Sequence, residues 1–223
     1  MPRRARSVVG GMIYHVLNRG NAHATLFYGE SDYNAFERVL AEAHSRLPMR
    51  ILAYTVMPNH WHFLLWPEGD GDLSEFMRWL TVTHAQRCHA HRKTAGSGHV
   101  YQGRFKSFPV ESEVHFLMVC RYVERNPLRA GLVKRAEDWK WSSLWRYLHG
   151  DQSQKLVLSS WPVDRPANYA EYVNLPQTES EVEAIRRCIA RGQPYGSERW
   201  AQETAKRLGI EWTLRPRGRP RMP

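Results

Sequence analysis

Two histidines at alternating positions are the first residues in this sequence that suggest chemistry. His60 and His62 flank Trp61 in the stretch MPNHWHFLLWP, residues 57–67. Successive side chains of a β-strand point to opposite faces, so both imidazoles would face one side of a strand while Trp61 anchors the other. Two imidazoles at this spacing can share one divalent metal ion. By its spacing alone such a pair more often packs than binds metal, and a complete catalytic site also needs a third ligand and a reacting group.

A second stretch, CRYVERNPLRAGLV at residues 120–133, supplies groups of that kind. Tyr122 and Asn126 are four residues apart and would share one face of a helix. Tyrosine can act as a nucleophile and hold a covalent intermediate, and an amide oxygen can ligate a metal ion. Alone, a helical tyrosine usually packs and an asparagine before proline usually forms a turn. Together with His60 and His62, the two residues favour a catalytic site.

A sheet and a helix must bring these side chains together. Apolar periodicity predicts the order β-α-β-β-α-β-α, with the residues PN as a tight turn between the second and third strands. We therefore expect an α+β fold of the ferredoxin- or RRM-like type, an antiparallel sheet with helices packed on one face. The predicted strands cover residues 10–18, 50–57, 60–66 and 99–110, and the predicted helices cover residues 31–47, 72–91 and 112–126.

The pattern changes after about residue 150, where a polar segment leads into a stretch rich in Trp, Pro and Tyr. We predict one domain over residues 1–150 and a C-terminal helical extension over residues 151–223. Within the extension, helices are expected at residues 179–191 and 198–208.

The chain ends in the basic segment LRPRGRPRMP, whose prolines exclude a helix. Arg215, Arg217 and Arg219 belong to it, and its RGRP core is that of AT-hook minor-groove binders. Arginines on an extended backbone suit a narrow, negative minor groove, which makes these three residues candidate DNA contacts. A disordered basic terminus is the alternative reading.

The charge balance points to a polyanionic partner. The chain has 32 Lys and Arg against 22 Asp and Glu, a net charge of +10, and Lys and Arg neutralise the phosphates of nucleic acids. Asn18 and Arg19, at the end of the first predicted strand, and Arg104 and Lys106, on one face of the fourth, are candidate DNA contacts. A solvated basic edge is the alternative for all four.

Cysteine use and hydropathy indicate the cellular compartment of the protein. Three cysteines lie far apart with no CxxC pair, so a disulfide framework and a cysteine-built zinc site are not expected. No apolar run reaches the roughly 18 residues that a membrane span needs, and the N-terminus does not have the pattern of a signal peptide. We expect a cytoplasmic protein with no membrane partner.

Three motifs, in the order in which they occur along the chain, resemble those of a known family. MPNHWHFLLWP, HVYQGRFKSF and YVERNPLRAGLV resemble the single-tyrosine HUH transposases, in which a bulky residue, here Trp61, separates two histidines. The segment RGQPYGSERWAQETAKRLGIEWTLRPRGRP, residues 191–220, is similar to the branch of REP-associated tyrosine transposases. The resemblance covers almost the whole chain and assigns the catalytic domain to residues 1–150.

The resemblance implies a role for each site residue. His60 and His62 would ligate a divalent ion, Mg²⁺ or Mn²⁺, with Asn126 as the third protein ligand, a place where other branches often have Gln or His. Tyr122 would attack the scissile phosphate and form a 5′-phosphotyrosine. The implied enzyme is a transposase and single-strand DNA endonuclease of the bacterial nucleoid, a monomer or homodimer, acting on hairpin DNA beside a single-stranded guide sequence.

Two other functions remain open from the sequence. A non-catalytic, domesticated regulator that binds hairpin repeats would need the same basic surface without the cleavage chemistry. A relaxase or replication initiator would share the HUH chemistry, but such chains are usually longer and their motifs do not resemble YVERNP.

Overall fold

The protein is described by a computed structural model over residues 8–150 and 158–215. Four antiparallel strands form one sheet in the order β2-β3-β1-β4. The strands are β1 (Ile13–Arg19), β2 (Arg50–Met57), β3 (His60–Trp66) and β4 (Lys106–Val110). The predicted hairpin joins β2 to β3, and the predicted bounds of these two strands are confirmed at both ends.

The first face of the sheet is covered by α1 (Glu30–Arg46) and α2 (Asp72–Arg92). The core on this side is aromatic: Phe36 and Phe76 from the helices meet Trp61 and Phe63 from β3, all four fully buried. Burial of large aromatic side chains is the strongest packing contribution a small sheet can obtain. This layer packs against the face of β3 that carries Trp61 and Phe63, and the histidines of β3 lie on the opposite face.

The other face of the sheet is covered by the later helices. Ile13, Leu64 and Phe108 of the sheet share a core with Phe116 and Val119 of the helix that carries Tyr122. The helices that follow β4 are α3 (Val114–Glu124), α4 (Asn126–Arg129), α5 (Ser143–His149), α6 (Tyr169–Asn174), α7 (Glu179–Arg191) and α8 (Glu198–Leu208).

The α+β prediction with an antiparallel sheet is confirmed, but the prediction that helices cover one face only is wrong. Helices cover both faces. The reason is visible in β2 and β3, whose runs ILAYTVM and WHFLL are apolar at successive positions and almost completely buried. A strand with one solvated face would instead alternate apolar with polar residues.

Several predicted bounds shift. The first strand begins at Ile13 rather than residue 10, and the fourth spans only Lys106–Val110 rather than 99–110. Residues before Lys106 leave the ladder, although Tyr101 makes an isolated bridge to Gly20. The helix predicted over 112–126 divides into α3 and α4 at Arg125, because Pro127 cannot donate the backbone hydrogen bond of a continuous helix.

The C-terminal segment packs against the free edge of β4. Tyr195 donates its backbone N–H to the carbonyl of Pro109 and accepts from the N–H of Glu111, which extends the sheet locally. The two helices α7 and α8 have the bounds predicted from the sequence, and a capping box of Thr178 and Glu181 starts α7. The division at residue 150 stays a prediction. No helix within 8–150 and 158–215 is long and apolar enough to cross a bilayer.

Candidate active site

Trp61 fixes the orientation of β3. Its indole is fully buried and its Nε1–H donates to the hydroxyl of Tyr101 at 3.1 Å. The same hydroxyl lies 2.7 Å from Nδ1 of His84, a buried imidazole whose pKa is lowered to about 4 by burial. Because Trp61 is locked by shape and by this hydrogen-bonded chain, the neighbouring imidazoles must face the opposite side, towards α3 and α4.

The hydrogen bond of His60 defines its tautomer. Nδ1 of His60 lies 2.6 Å from the side-chain oxygen of Asn59, an oxygen that only accepts, so Nδ1 carries the proton. Burial lowers the pKa of His60 to about 4, which keeps the ring neutral at pH 7. Its Nε2 therefore presents a lone pair towards the centre of the site, as a metal ligand must.

His62 is paired with a third histidine, His15 of β1. Nδ1 of His62 and Nε2 of His15 are 2.8 Å apart, and burial lowers the pKa of both rings, that of His15 to about 3. One neutral ring must therefore donate to the other. If His62 donates, its Nε2 is free to bind a metal ion. The Nδ1 of His15 is buried without a hydrogen-bond partner, and that ring stacks on Phe108 with 4.7 Å between centroids.

Asn126 and Arg129 close the site from α4. The amide nitrogen of Asn126 lies 3.4 Å from Nε2 of His60, at the position of its lone pair. The amide oxygen accepts from Nη2 of Arg129 at 3.0 Å and retains a second lone pair. For Asn126 to ligate a metal ion beside His60, its amide must turn so that the oxygen replaces the nitrogen.

Tyr122 reaches the same centre from α3. Its ring is 5% exposed and meets the His62 ring edge-on, with 5.9 Å between centroids. The guanidinium of Arg129 lies over the ring, 4.3 Å from its centroid, and burial lowers the pKa of Arg129. A cation over the face of an aromatic ring is attracted by the ring electrons. Tyr122 is thus held between neutral imidazoles and a half-buried cation.

Glu124 fixes the helix that carries Tyr122. It is fully buried, and its carboxylate accepts from the hydroxyls of Ser143 on α5 and of Tyr169 on α6, the latter at 2.5 Å. Burial raises the pKa of this carboxyl, while the two hydroxyls and the nearby Arg165 oppose the rise. These bonds tie α3 to two other helices and limit rotation of Tyr122.

The predicted DNA contacts fall into different environments. Asn18 is buried, and its amide bonds the backbone of Gly103 and Arg19, so it shapes the strand end. Arg19 is half-buried, and Nε of its guanidinium lacks a hydrogen-bond partner. The exposed ones are Arg104, Lys106 and Arg215. Arg217 and Arg219, with the RGRP segment, lie outside the described residues.

The predicted site residues His60, His62, Tyr122 and Asn126 come together. Among the described DNA-contact candidates, Arg19 lies beside them, directly opposite His60 in the β1–β3 ladder. Within residues 8–150 and 158–215, no three His, Cys, Asp or Glu side chains form a group suited to a metal ion. The donor set available is two imidazoles and one amide, which fits an ion that takes its remaining ligands from water and substrate oxygens.

Sequence reasoning missed two residues of this site. Arg129 follows Tyr122 by seven positions and Asn126 by three, a helical spacing that could have identified it. His15 was detectable only as a polar residue inside the apolar strand IYHVLN. Its partnership with His62 depends on the pairing of β1 with β3, in which Leu17 lies opposite His62.

Comparisons with known proteins show the family and the fold of this chain. The family model for IS200-like transposases matches residues 8–126, more than half of the chain. The chain is 27% identical over 159 residues to the REP-associated tyrosine transposase of Escherichia coli (strain K12), covering 70% of this chain and 88% of that protein. The fold matches a solved REP-associated tyrosine transposase bound to a REP hairpin, with TM-score 0.55 and 21% identity over 80% of this chain and 99% of the other.

Proposed function

This chain belongs to the IS200-like transposase family, and from that premise we propose that it cleaves and rejoins single-stranded DNA at hairpin sites through a covalent tyrosine–DNA intermediate. The similar solved protein is bound to a REP hairpin, which supports hairpin DNA as the target. The net charge of +10 suits such a polyanion.

One observation carries the proposal: Tyr122, His62 and His60 converge, from a helix and a strand that are far apart in sequence. The ring centroids of Tyr122 and His62 are 5.9 Å apart, and those of His62 and His60 are 5.0 Å apart. The phenol and the imidazoles therefore border one common point, where a scissile phosphate could be met by all three side chains. Packing alone gives no reason to place a tyrosine against two neutral histidines and a half-buried arginine.

The reaction is a transesterification. The phenol of Tyr122 loses its proton, and its oxygen forms a bond to phosphorus as the bond from phosphorus to the 3′ oxygen breaks. The leaving oxygen takes up a proton to become a 3′-hydroxyl, and the 5′ end remains on the tyrosine. Attack of a 3′-hydroxyl on this ester reverses the exchange, so rejoining needs no nucleotide cofactor. Arg129 would stabilise the phenolate before attack.

We propose His60, His62 and Asn126 as the holders of a divalent ion, Mg²⁺ or Mn²⁺. Such an ion would neutralise charge on the scissile phosphate and orient it for in-line attack. The chain's own contribution is to keep both imidazoles neutral, through burial, and to leave both Nε2 atoms free. The hydrogen bond that His60 donates from Nδ1 to Asn59 fixes the tautomer of His60, and His15 fixes that of His62 when its Nε2 accepts.

The proposal is tested with a labelled single-stranded hairpin oligonucleotide that carries single-stranded flanks. With Mn²⁺ present, we expect a cleaved strand ending in a 3′-hydroxyl and a protein–DNA adduct that survives denaturation. EDTA should suppress both while binding to the hairpin persists. Binding without cleavage under any metal would instead favour the non-catalytic regulator.

Replacing His15 with phenylalanine should weaken Mn²⁺ binding about 10- to 100-fold. Phenylalanine retains the stacking on Phe108 but removes the acceptor that keeps the proton on Nδ1 of His62. The tautomer with the proton on Nε2, which cannot bind metal, then gains population. Titration of Mn²⁺ followed by electron paramagnetic resonance measures the affinity directly.

His15→Gln is the matched control, because a side-chain oxygen can accept from His62 in place of the imidazole. We expect it to recover part of the affinity lost in His15→Phe. Equal Mn²⁺ affinity in His15→Phe and the unchanged protein would show that His15 does not position His62.

A further inference from the structure

A cleft of about 630 Å³ separates the active-site end of the sheet from the C-terminal helices. One wall is formed by the end of β1 and the residues that lead into β4, including Arg19, Arg104 and Lys106. The other wall comes from the ends of α7 and α8 and the 3₁₀ turn Glu211–Thr213. This second wall lies outside residues 8–126, so the family match does not account for it.

The charges around the cleft have one sign. Among the described residues that line it, four are cations and none is an Asp or Glu. The cations are Arg19, Arg104, Lys106 and Arg191. Like charges focused on a concave surface attract an anionic ligand and do not stabilise the protein itself. Since 22 acidic residues are present in the chain, their absence from this lining is a feature of the site rather than of the composition.

Trp212 adds an aromatic surface to the same wall. Its indole is 51% exposed, although the other tryptophans of the described residues are covered to a greater extent. An exposed indole beside cations matches the way proteins bind single strands, with bases stacked on aromatic rings and phosphates on basic side chains. Paired bases inside a duplex offer no such face, so the pattern selects unpaired nucleotides.

Arg19 lies where the cleft adjoins the active site. It lines the cleft, and in the β1–β3 ladder it lies directly opposite His60. A strand whose phosphate lies at His60 and Tyr122 can therefore continue past Arg19 into the cleft. We propose that the cleft binds the unpaired nucleotides next to the scissile phosphate, with a base stacked on Trp212. This inference rests on the proposed function, since it names where that substrate continues.

Trp212→Ala is the test. Binding is measured by fluorescence anisotropy in EDTA, with a labelled hairpin that has a single-stranded extension and with the same hairpin lacking it. The unchanged protein should prefer the extended hairpin. Trp212→Ala should lose about 5- to 100-fold in affinity for the extended hairpin, which is the effect of one stacked base. Its affinity for the hairpin without the extension should not change. Trp212→Phe should retain most of the affinity.

Tyr28→Ala is the matched control. Tyr28 is 72% exposed and also lies beside an arginine, Arg92, whose guanidinium is 4.8 Å from the ring centroid, but it does not line the cleft. Its removal should leave both affinities unchanged. The inference is overturned if Trp212→Ala binds the extended hairpin normally, if it loses affinity for both hairpins equally, or if the unchanged protein shows no preference.

The experiments distinguish an error in the assignment of the cleft from an error in the proposed cleavage reaction. If the unchanged protein forms the tyrosine adduct but Trp212→Ala binds normally, only the cleft assignment is lost. If the extension contributes to binding through Trp212 and no adduct forms with any metal, the cleavage reaction is lost and the cleft remains a binding site for single strands.

Discussion

Replacing Tyr122 with phenylalanine should abolish the covalent protein–DNA adduct and leave hairpin binding intact. The change removes only the hydroxyl, which is the attacking group in the proposed reaction, and phenylalanine has no other nucleophile to offer. The ring keeps its edge-on contact with His62 and its place under Arg129, so the packing of α3 is preserved. Denaturing gel electrophoresis of a labelled hairpin with Mn²⁺ measures the adduct.

Tyr172→Phe provides a closely matched control. Tyr172 also lies under an arginine, with the guanidinium of Arg121 4.5 Å from its ring centroid, in the helix α6 that packs beside α3. Tyr172 makes no ring contact with the histidines, so the Tyr172→Phe variant should form the adduct at the normal rate. A normal adduct in Tyr122→Phe would exclude Tyr122 as the nucleophile, and peptide mapping of that adduct would identify the residue used instead.

The parts of the fold that the sequence predicts well are those with a local cause. The bounds of β2 and β3 follow from apolar runs closed by a Pro-Asn turn, and those of α7 follow from the Thr178 cap and the left-handed Gly192 at its end. The fourth strand was predicted too long because most of residues 99–105 form bends, and only Tyr101 bridges to the sheet, at Gly20. Their partners lie across the molecule, and periodicity does not contain that information.

Covering of both sheet faces was predictable in part. The continuous apolar run of β2 indicates a strand buried on both sides, but the expected fold type led us to place all helices together. The candidate site was also predictable only in part. Spacing places His60 and His62 on one strand face and Tyr122 and Asn126 on one helix face. The role of His15 could not be predicted, because it depends on which strand lies beside β3 and in which register.

Replacing His60 with alanine should reduce metal-dependent cleavage at least about 100-fold while hairpin binding survives. The variant would lose one of the two imidazole ligands that we propose. The charge stabilisation that a bound ion would supply to the transition state is worth several kcal/mol, with each 1.36 kcal/mol a factor of ten in rate. His60 lies at the start of β3 and is only partly buried, so its truncation leaves the sheet intact. Single-turnover cleavage at increasing Mn²⁺ concentrations separates lost affinity from lost rate.

His23→Ala is the control for the loss of an imidazole at this corner of the molecule. His23 is exposed and near enough to contribute to the lowered pKa of His60, but its ring has no bond to the site. Because its ring makes no hydrogen bond to the site, its removal should leave cleavage within a factor of a few of normal. If His60→Ala cleaves as fast as His23→Ala at every Mn²⁺ concentration, then His60 does not hold the ion, and the neutral ring whose Nε2 faces the amide of Asn126 serves only to pack α4 against the sheet.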